Sequence, residues 1–281
     1  MKRIVLPTDF SDNAWNAISY AVQLFANETC QLYFLHTYVP AFYRVDYAIG
    51  GPAYSGIDDA MIQATISGLE NTVARVKEEY PNDKHTYHQH YAFNLLTDEV
   101  KELCEKEDID LVIMGTKGAT GAERILFGSN AVFMMRKIDV PLIVIPGAYA
   151  FKKPVSVLFP NDFLMIPDKE VLKPLLQLLK NNHAHLDVVH VQEDREMTRQ
   201  QEHNKYVLHE RLADCNYDFL EIQEGYMPDA IKDMIDEGPY DLLVMLNRKH
   251  SFLERLLLRQ NVDSLGFEVE IPFMVLRESI K

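Results

Sequence analysis

Leu111-Val112-Ile113-Met114-Gly115-Thr116-Lys117-Gly118, followed after nine residues by Gly128-Ser129-Asn130, is the stretch that decides the reading of this chain. Ile109 to Met114 is an apolar run of strand length, and two glycines follow directly on it. Gly128-Ser129 then stands where a helix can begin, so the pattern is G-x2-G-x9-G-S between a strand and a helix. A glycine at the end of a strand permits a turn with positive φ and lets a ligand approach where a Cβ would block it. A helix opening at Gly128-Ser129 offers unpaired N–H groups and the positive end of its dipole, which together suit phosphate. The Ser129 hydroxyl can add a hydrogen bond, and Lys117 and Arg124 lie in the loop as local cations. The Walker pattern G-x4-G-K-[ST] and the dinucleotide pattern G-x-G-x-x-G are both absent from it.

Outward from this loop, strands and helices alternate. Arg3–Leu6, Gln31–His36, Tyr87–Phe93, Ile109–Met114 and Val140–Ile145 read as strands. Ser11 is placed to cap a helix bearing Ala14, Ile18, Ala21 and Phe25 on one face, and Ile62, Ile66, Leu69, Val73 and Val76 mark a second. Thr97 is placed to cap a third helix carrying Val100, Leu103 and Cys104. Val155–Phe159, Leu186–Val191, Tyr217–Ile222, Leu242–Leu246 and Phe273–Leu276 repeat the strands. Between them come a helix capped by Asp168, a polar helix from near Glu193 to Leu212, and a short one over Ala230–Ile235. Such alternation predicts mostly parallel sheet covered on both faces.

The second half is a copy of the first. Residues 111–145 lie over 242–276 without a gap, with eight of 35 positions identical. Pro7-Thr8-Asp9-Phe10 lies over Pro160-Asn161-Asp162-Phe163, and His36 over His190. The expected units are residues 1–147 and 154–281, joined by a linker over 148–153 that Pro146, Gly147 and Pro154 punctuate. In the second copy Leu246, Lys249, Arg259 and Gln260 replace Gly115, Gly118, Gly128 and Ser129. Long side chains would fill the phosphate space there, so only the first copy keeps a usable loop.

Composition narrows the partners. The chain has 281 residues, 47% of them hydrophobic, enough for two cores. Its formal charge of −14 disfavours nucleic acid and anionic membrane surfaces. The start, Met1-Lys2-Arg3-Ile4-Val5-Leu6-Pro7, reads as a first strand rather than a signal peptide, and no apolar run is long enough to span a bilayer. Cys30, Cys104 and Cys215 are odd in number and far apart, which argues against a disulfide framework and for a cytoplasmic location.

The loop spacing, the early Pro7-Thr8-Asp9-Phe10-Ser11 and the Leu35-His36 strand end together resemble the universal stress protein family, as a tandem two-domain member. The resemblance implies two open parallel five-stranded sheets in order 3-2-1-4-5, of the adenine nucleotide alpha-hydrolase-like kind, with helices on both faces. It implies an adenine nucleotide (ATP, ADP or AMP), with or without Mg²⁺, as the ligand of some members but not of others. Carried over by position, the phosphates rest on Gly118, Gly128, Ser129 and Asn130, with Lys117 beside them. The ribose and adenine lie near Pro7, Thr8, Asp9, Thr37, Met114 and Gly115, and Asp9 bonds the nucleotide or helps to hold the ion. Nucleotide-binding members often carry a further hydroxyl two positions after the motif serine, where this chain has Ala131. The function so implied is a stress-response or regulatory one. The alternatives are an interaction protein without nucleotide and, third, a slow ATP hydrolase. No residue is assigned a catalytic role, since Ser11 has no His/Asp partners in a recognisable arrangement.

The remaining candidates read as structural. His88 and His90, and likewise His183 and His185, are spaced to share a strand face, but sequence places no further ligand beside either pair. They read as surface histidines, and no metal site is expected. Tyr38 to Ser55 reads as a lid, a partner surface or a plain excursion. The resemblance implies that the apolar fifth-strand edges, Val140–Ile145 and Ile271–Leu276, pair between domains, here within one chain as a pseudo-dimer, leaving a further homodimer open.

Overall fold

The computed structural model describes residues 1–38, 57–116, 128–192, 196–223, 225–247, 253 and 270–277. The first copy runs β1 (Lys2–Pro7), α1 (Asp12–Leu24), β2 (Cys30–Thr37), α2 (Ile57–Glu79), β3 (His85–Ala92), α3 (Leu96–Glu107), β4 (Leu111–Gly115), α4 (Ser129–Lys137) and β5 (Leu142–Ile145). The second runs β6 (Ser156–Pro160), α5 (Lys169–Asn182), β7 (His185–Gln192), α6 (Arg199–Leu212), β8 (Asn216–Gln223), α7 (Met227–Glu237), β9 (Leu242–Asn247) and β10 (Phe273–Arg277).

All ten strands form one sheet in the order β3-β2-β1-β4-β5-β10-β9-β6-β7-β8. Each half is parallel within itself and keeps the expected 3-2-1-4-5 order. The halves join where β5 and β10 pair antiparallel, with Val144 opposite Phe273, Ile143 opposite Met274 and Leu142 opposite Val275. Antiparallel pairing of the two copies' last strands is what a pseudo-two-fold axis through the seam requires. It covers two apolar edges that would otherwise template aggregation. Arg277, ending β10, fastens the seam: its guanidinium donates to the carbonyls of Arg136 and Ile138 at the end of α4 and pairs with Asp139 at 3.2 Å.

Helices cover both faces. One core lies under α1, α2, α5 and α6 and includes Ile18, Leu69, Leu175 and Leu208; the other lies under α3, α4 and α7 and includes Val100, Met134 and Ile231. β1 is buried from Ile4 to Pro7, which explains why its sequence is a continuous apolar run rather than an alternating one. Cys104 packs beside the second core, and burial pushes its thiol up to about 12.

Several local readings change. Ser11 does cap α1, accepting from the Ala14 amide. Thr97 caps nothing: α3 starts earlier, with Leu95 at the cap position, and Asn94 Oδ1 accepts from the Leu95 amide. Asp168 stands at the cap of α5 without a side-chain bond to the helix. The polar helix α6 begins at Arg199, where Thr198 and Gln201 form a reciprocal capping box. Among the described residues, no helix is long and apolar enough to cross a membrane.

Candidate functional site

β1 pairs with β2 on one side and β4 on the other, so the chain reverses its direction of winding between β1 and β4. Open α/β sheets place ligands in the crevice outside the strand C-termini at such a point. Pro7, Thr37 and Gly115 end β1, β2 and β4 respectively, and all three therefore lie at this edge. Thr8 and Asp9 follow Pro7 directly, Thr8 buried and Asp9 exposed. Met114 is placed one residue before the edge, with its side chain in the second core.

The turn after β1 is held by its own short side chains. The Thr8 amide donates to Leu35 O at 2.8 Å, and the Phe10 amide donates to Thr8 Oγ1 at 3.0 Å. Ser11 donates to Asp9 Oδ1 through its amide at 3.1 Å and its hydroxyl at 2.5 Å. His36 Nδ1 lies 2.7 Å from Thr8 O, and its ring stacks on Phe10 at 4.5 Å. Phe10 adopts φ 64°, a left-handed conformation unusual for an aromatic residue, and these bonds on both sides of it hold it there. The turn thereby presents Asp9 to solvent beside the N-terminus of α1.

Across the crevice, the ends of the glycine loop are tied together. Thr116, 3% exposed, donates its amide to Ile145 O at 3.0 Å, and its carbonyl accepts from the Gly128 amide at 2.6 Å. Gly128 thus returns to the end of β4 and opens α4 as its cap residue, at φ −61° and ψ 154°. Among the described residues, no side chain caps α4 and its first turn carries no acid, while Arg136 and Lys137 occupy its last turn. The helix dipole is complemented at its C-terminus and left facing the crevice at its N-terminus. Ser129 and Asn130 are exposed on that first turn, whereas Ala131 points into the core at 1% exposure. Lys117 and Gly118, with Arg124, lie outside the described residues, as do residues 39–55 of the lid reading.

Gly115 has a reason that the sequence reading missed. It lies in the strand rather than at a positive φ, and a Cβ there would stand 2.9 Å from Asn13 Nδ2 and 3.0 Å from Asn13 O. Asn13 likewise occupies the space over Gly147, where a Cβ would meet its Oδ1 at 2.8 Å. The glycine admits the first turn of α1 against the ends of β4 and β5. Asn13 and Thr116 are the positioning residues that spacing alone did not single out. The signal available for both was adjacency, Asn13 to the Ser11 cap and Thr116 to Gly115.

The second copy repeats the backbone bonds of the turn, with Leu164 in place of Ser11 and so without its hydroxyl bond. The Asn161 amide donates to Val189 O at 2.8 Å, the Phe163 amide to Asn161 Oδ1 at 2.8 Å, and the Leu164 amide to Asp162 Oδ1 at 3.1 Å. His190 Nδ1 lies 3.0 Å from Asn161 O, and Phe163 adopts φ 53°. Yet this turn is covered. Phe163 is 1% exposed against 40% for Phe10. From α6, Asn204 Nδ2 donates to Phe163 O and Gln201 Nε2 to Asp162 O, both at 2.8 Å. Of the replacements expected to fill the loop space, Leu246 ends within β9, and Lys249, Arg259 and Gln260 lie outside the described residues.

Comparison with known proteins agrees with this duplicated architecture. The sequence model of the universal stress protein family matches residues 1–146 and again 157–277. A universal stress protein of Methanocaldococcus jannaschii is 31% identical over 149 residues, spanning 51% of this chain and 81% of its own length. The crystal structure of a universal stress protein from Archaeoglobus fulgidus covers 99% of this chain and 97% of its own, with TM-score 0.64 at 17% identity. A universal stress protein solved in complex with cAMP covers 51% of this chain and 96% of its own, with TM-score 0.39 at 19% identity. The family model accounts for both halves, and the fold and the repeated turn agree with it: this chain belongs to the universal stress protein family, as a two-domain member.

Proposed function

We propose that the first copy binds one adenine nucleotide (ATP, ADP or AMP) per chain, and that the bound state serves a stress-response or regulatory role. The observation that carries this is the N-terminus of α4, which no side chain caps among the described residues and which the 2.6 Å bond from Gly128 to Thr116 returns to the end of β4, at the same sheet edge as the exposed Asp9. In this reading the amides of Gly128, Ser129 and Asn130 receive the phosphates, with Lys117 and Gly118 completing the loop. Pro7, Thr8, Asp9, Thr37, Met114 and Gly115 border the ribose and base, and Asp9 is the group suited to a nucleotide hydroxyl or to Mg²⁺. The second copy takes no nucleotide in this manner, because α6 covers its turn and its loop glycines are replaced.

Isothermal titration of the purified chain with ATP, ADP and AMP tests the proposal. One site per chain supports it, and absence of heat at millimolar nucleotide overturns it. A second reading, an interaction protein without nucleotide, draws on Ala131, whose side chain is buried and offers no hydroxyl to a phosphate. Native mass spectrometry separates the two, since an adenine nucleotide carried through purification excludes the second.

A further inference from the structure

Where the first copy keeps a loop that the second has lost, the second has gained a cluster that the first lacks. β7 opens with His185, and Asp187, two residues on, shares its side of the sheet. The register of β7 with β8 sets Asp218 directly beside Asp187. His185 Nε2 lies 3.1 Å from Asp187 Oδ1 and 3.4 Å from Asp218 Oδ2, and one ligand atom from each of the three residues falls within 4.8 Å of the others.

We propose that His185, Asp187 and Asp218 form a binding site for a divalent first-row transition ion, with Zn²⁺ as the reference ion. Zinc holds nitrogen and carboxylate oxygen at about 2.0–2.2 Å in a tetrahedron, so neighbouring ligand atoms stand about 3.3 Å apart. The two separations at His185 Nε2, 3.1 and 3.4 Å, bracket that value before any ion enters. Hydrogen bonding alone explains the arrangement less well. A single Nε2–H points at one acceptor, while here two carboxylate oxygens crowd one nitrogen. A divalent cation satisfies both, and two carboxylates with a neutral imidazole balance its charge.

The surroundings suit this role. Tyr240 Oη donates to Asp187 Oδ2 at 2.8 Å, which fixes the carboxylate and leaves Oδ1 turned to the cluster. Such an outer partner is what orients a metal-binding carboxylate. Two of the ligands sit on one strand and the third on its neighbour, which gives the site a rigid base. Asp218 is largely exposed, which leaves a route for the ion and room for water to complete the coordination. In the first copy, aligned through Pro7 and Pro160, the same places hold Gln31, Tyr33 and His88. There Tyr33 and His88 stack at 4.6 Å and Tyr33 Oη donates to Gln31 Oε1. No carboxylate of those three positions completes a set, so the site belongs to the second copy alone.

The test is titration of the full chain, stripped with a chelator, with Zn²⁺ alone, followed by calorimetry. One dominant site is expected. His185→Ala should weaken it at least ~100-fold, Asp218→Asn at least ~10-fold, and Tyr240→Phe by about 10-fold. Asp218 is exposed, so its variant keeps the test valid even where His185→Ala fails to fold. The chain has ten histidines, so His88→Ala with His90→Ala serves as the control and should bind Zn²⁺ unchanged. Co²⁺ should give visible d–d absorption that Asp218→Asn alters. The proposal is overturned by a dissociation constant weaker than about 100 μM (a binding free energy of about −5.5 kcal/mol). Affinity undiminished in both His185→Ala and Asp218→Asn, or an equal loss in the His88/His90 control, overturns it as well.

Discussion

The turns after β1 and β6 share a backbone and differ in what surrounds them. Thr8-Asp9-Phe10 and Asn161-Asp162-Phe163 share the amide bonds that close the turn, and both phenylalanines adopt the left-handed region. In the first copy the ring stacks on His36 and faces solvent; in the second it is buried under α6. The difference teaches that duplication conserves the device that turns the chain at the sheet edge, while the helix packed over it decides whether the edge stays open to a ligand. In the first copy α2 brings Gly68 beneath Phe10, so close that a Cβ would stand 2.6 Å from the ring. In the second, α6 brings Gln201 and Asn204, whose amides bond the turn.

The largest expected effect breaks the symmetry of the two phenylalanines. Phe163→Ala removes a fully buried ring and should cost about 3–5 kcal/mol. Phe10→Ala, at a half-open stack, should cost about 1 kcal/mol or less. Urea unfolding of the pair measures this, read in the second transition if the halves unfold separately. Equal losses would mean that the first turn is as closed as the second.

Next in size is the loop itself. Gly128→Arg gives the first copy the residue that the second carries at Arg259. Its φ of −61° accepts any side chain, so the variant should fold normally. Nucleotide affinity should fall at least ~100-fold, or about 2.8 kcal/mol. Binding at parental strength in this variant would place the nucleotide, if any, elsewhere.

Asn204→Ala comes third. Its amide donates to Phe163 O and its carbonyl oxygen accepts from Gln200, in a residue 3% exposed. Removal leaves a buried carbonyl unpaired and should cost about 2 kcal/mol in denaturant unfolding. A neutral result would show that water replaces the Asn204 amide at Phe163 O.

What the sequence made legible follows from range. Apolar runs and the gap-free overlay of 111–145 on 242–276 made the ten strands legible, while the 3-2-1-4-5 order and the pairing of β5 with β10 came through the resemblance. Helix starts were less legible because several capping residues compete within one turn. α3 starts with Leu95 at its cap position and no side-chain cap bond, and the Thr198/Gln201 box lies inside a uniformly polar stretch. For the candidate nucleotide site, the residues could be proposed from their spacing, but the reason for Gly115 could not. That reason is Asn13, a contact across a hundred residues of chain. The His185 cluster was hidden for the same cause, since Asp218 reaches it only through the β7–β8 register. The reading of His183 and His185 as a pair was mistaken in its geometry: His183 ends α5 in a left-handed cap, outside the strand that His185 begins.

The smallest expected effect concerns the seam, where the pseudo-symmetry is broken once more. Beyond the C-terminal end of β5 the chain from Pro146 onward folds back, so that Tyr149 and Phe151 pack on Tyr20 of α1, at ring distances of 6.3 and 5.1 Å. Asn16 Nδ2 pins this segment by donating to Pro146 O and Tyr149 O. At the opposite end of the seam, near Lys2 and Asp110, a crevice of about 240 Å³ remains between α1 and α5. Among the described residues, the aromatic filling lies at the first of these two ends. Burial pushes the Tyr149 phenol up to about 12 and Tyr20 higher still, and neither hydroxyl has a hydrogen-bond partner among the described residues. Both phenols stay protonated at neutral pH, so what they supply is ring packing and what they cost is a desolvated hydroxyl. Tyr20→Phe and Tyr149→Phe should accordingly be neutral or stabilising by up to about 1 kcal/mol, because removing an unpaired buried polar group relieves its desolvation. Tyr149→Ala, which empties the ring space, should lose stability in the same thermal or urea assay. A Phe variant that loses more than its parent's margin of error would show that each hydroxyl holds a bridging water, and that this end of the seam is joined by a polar network rather than by ring packing.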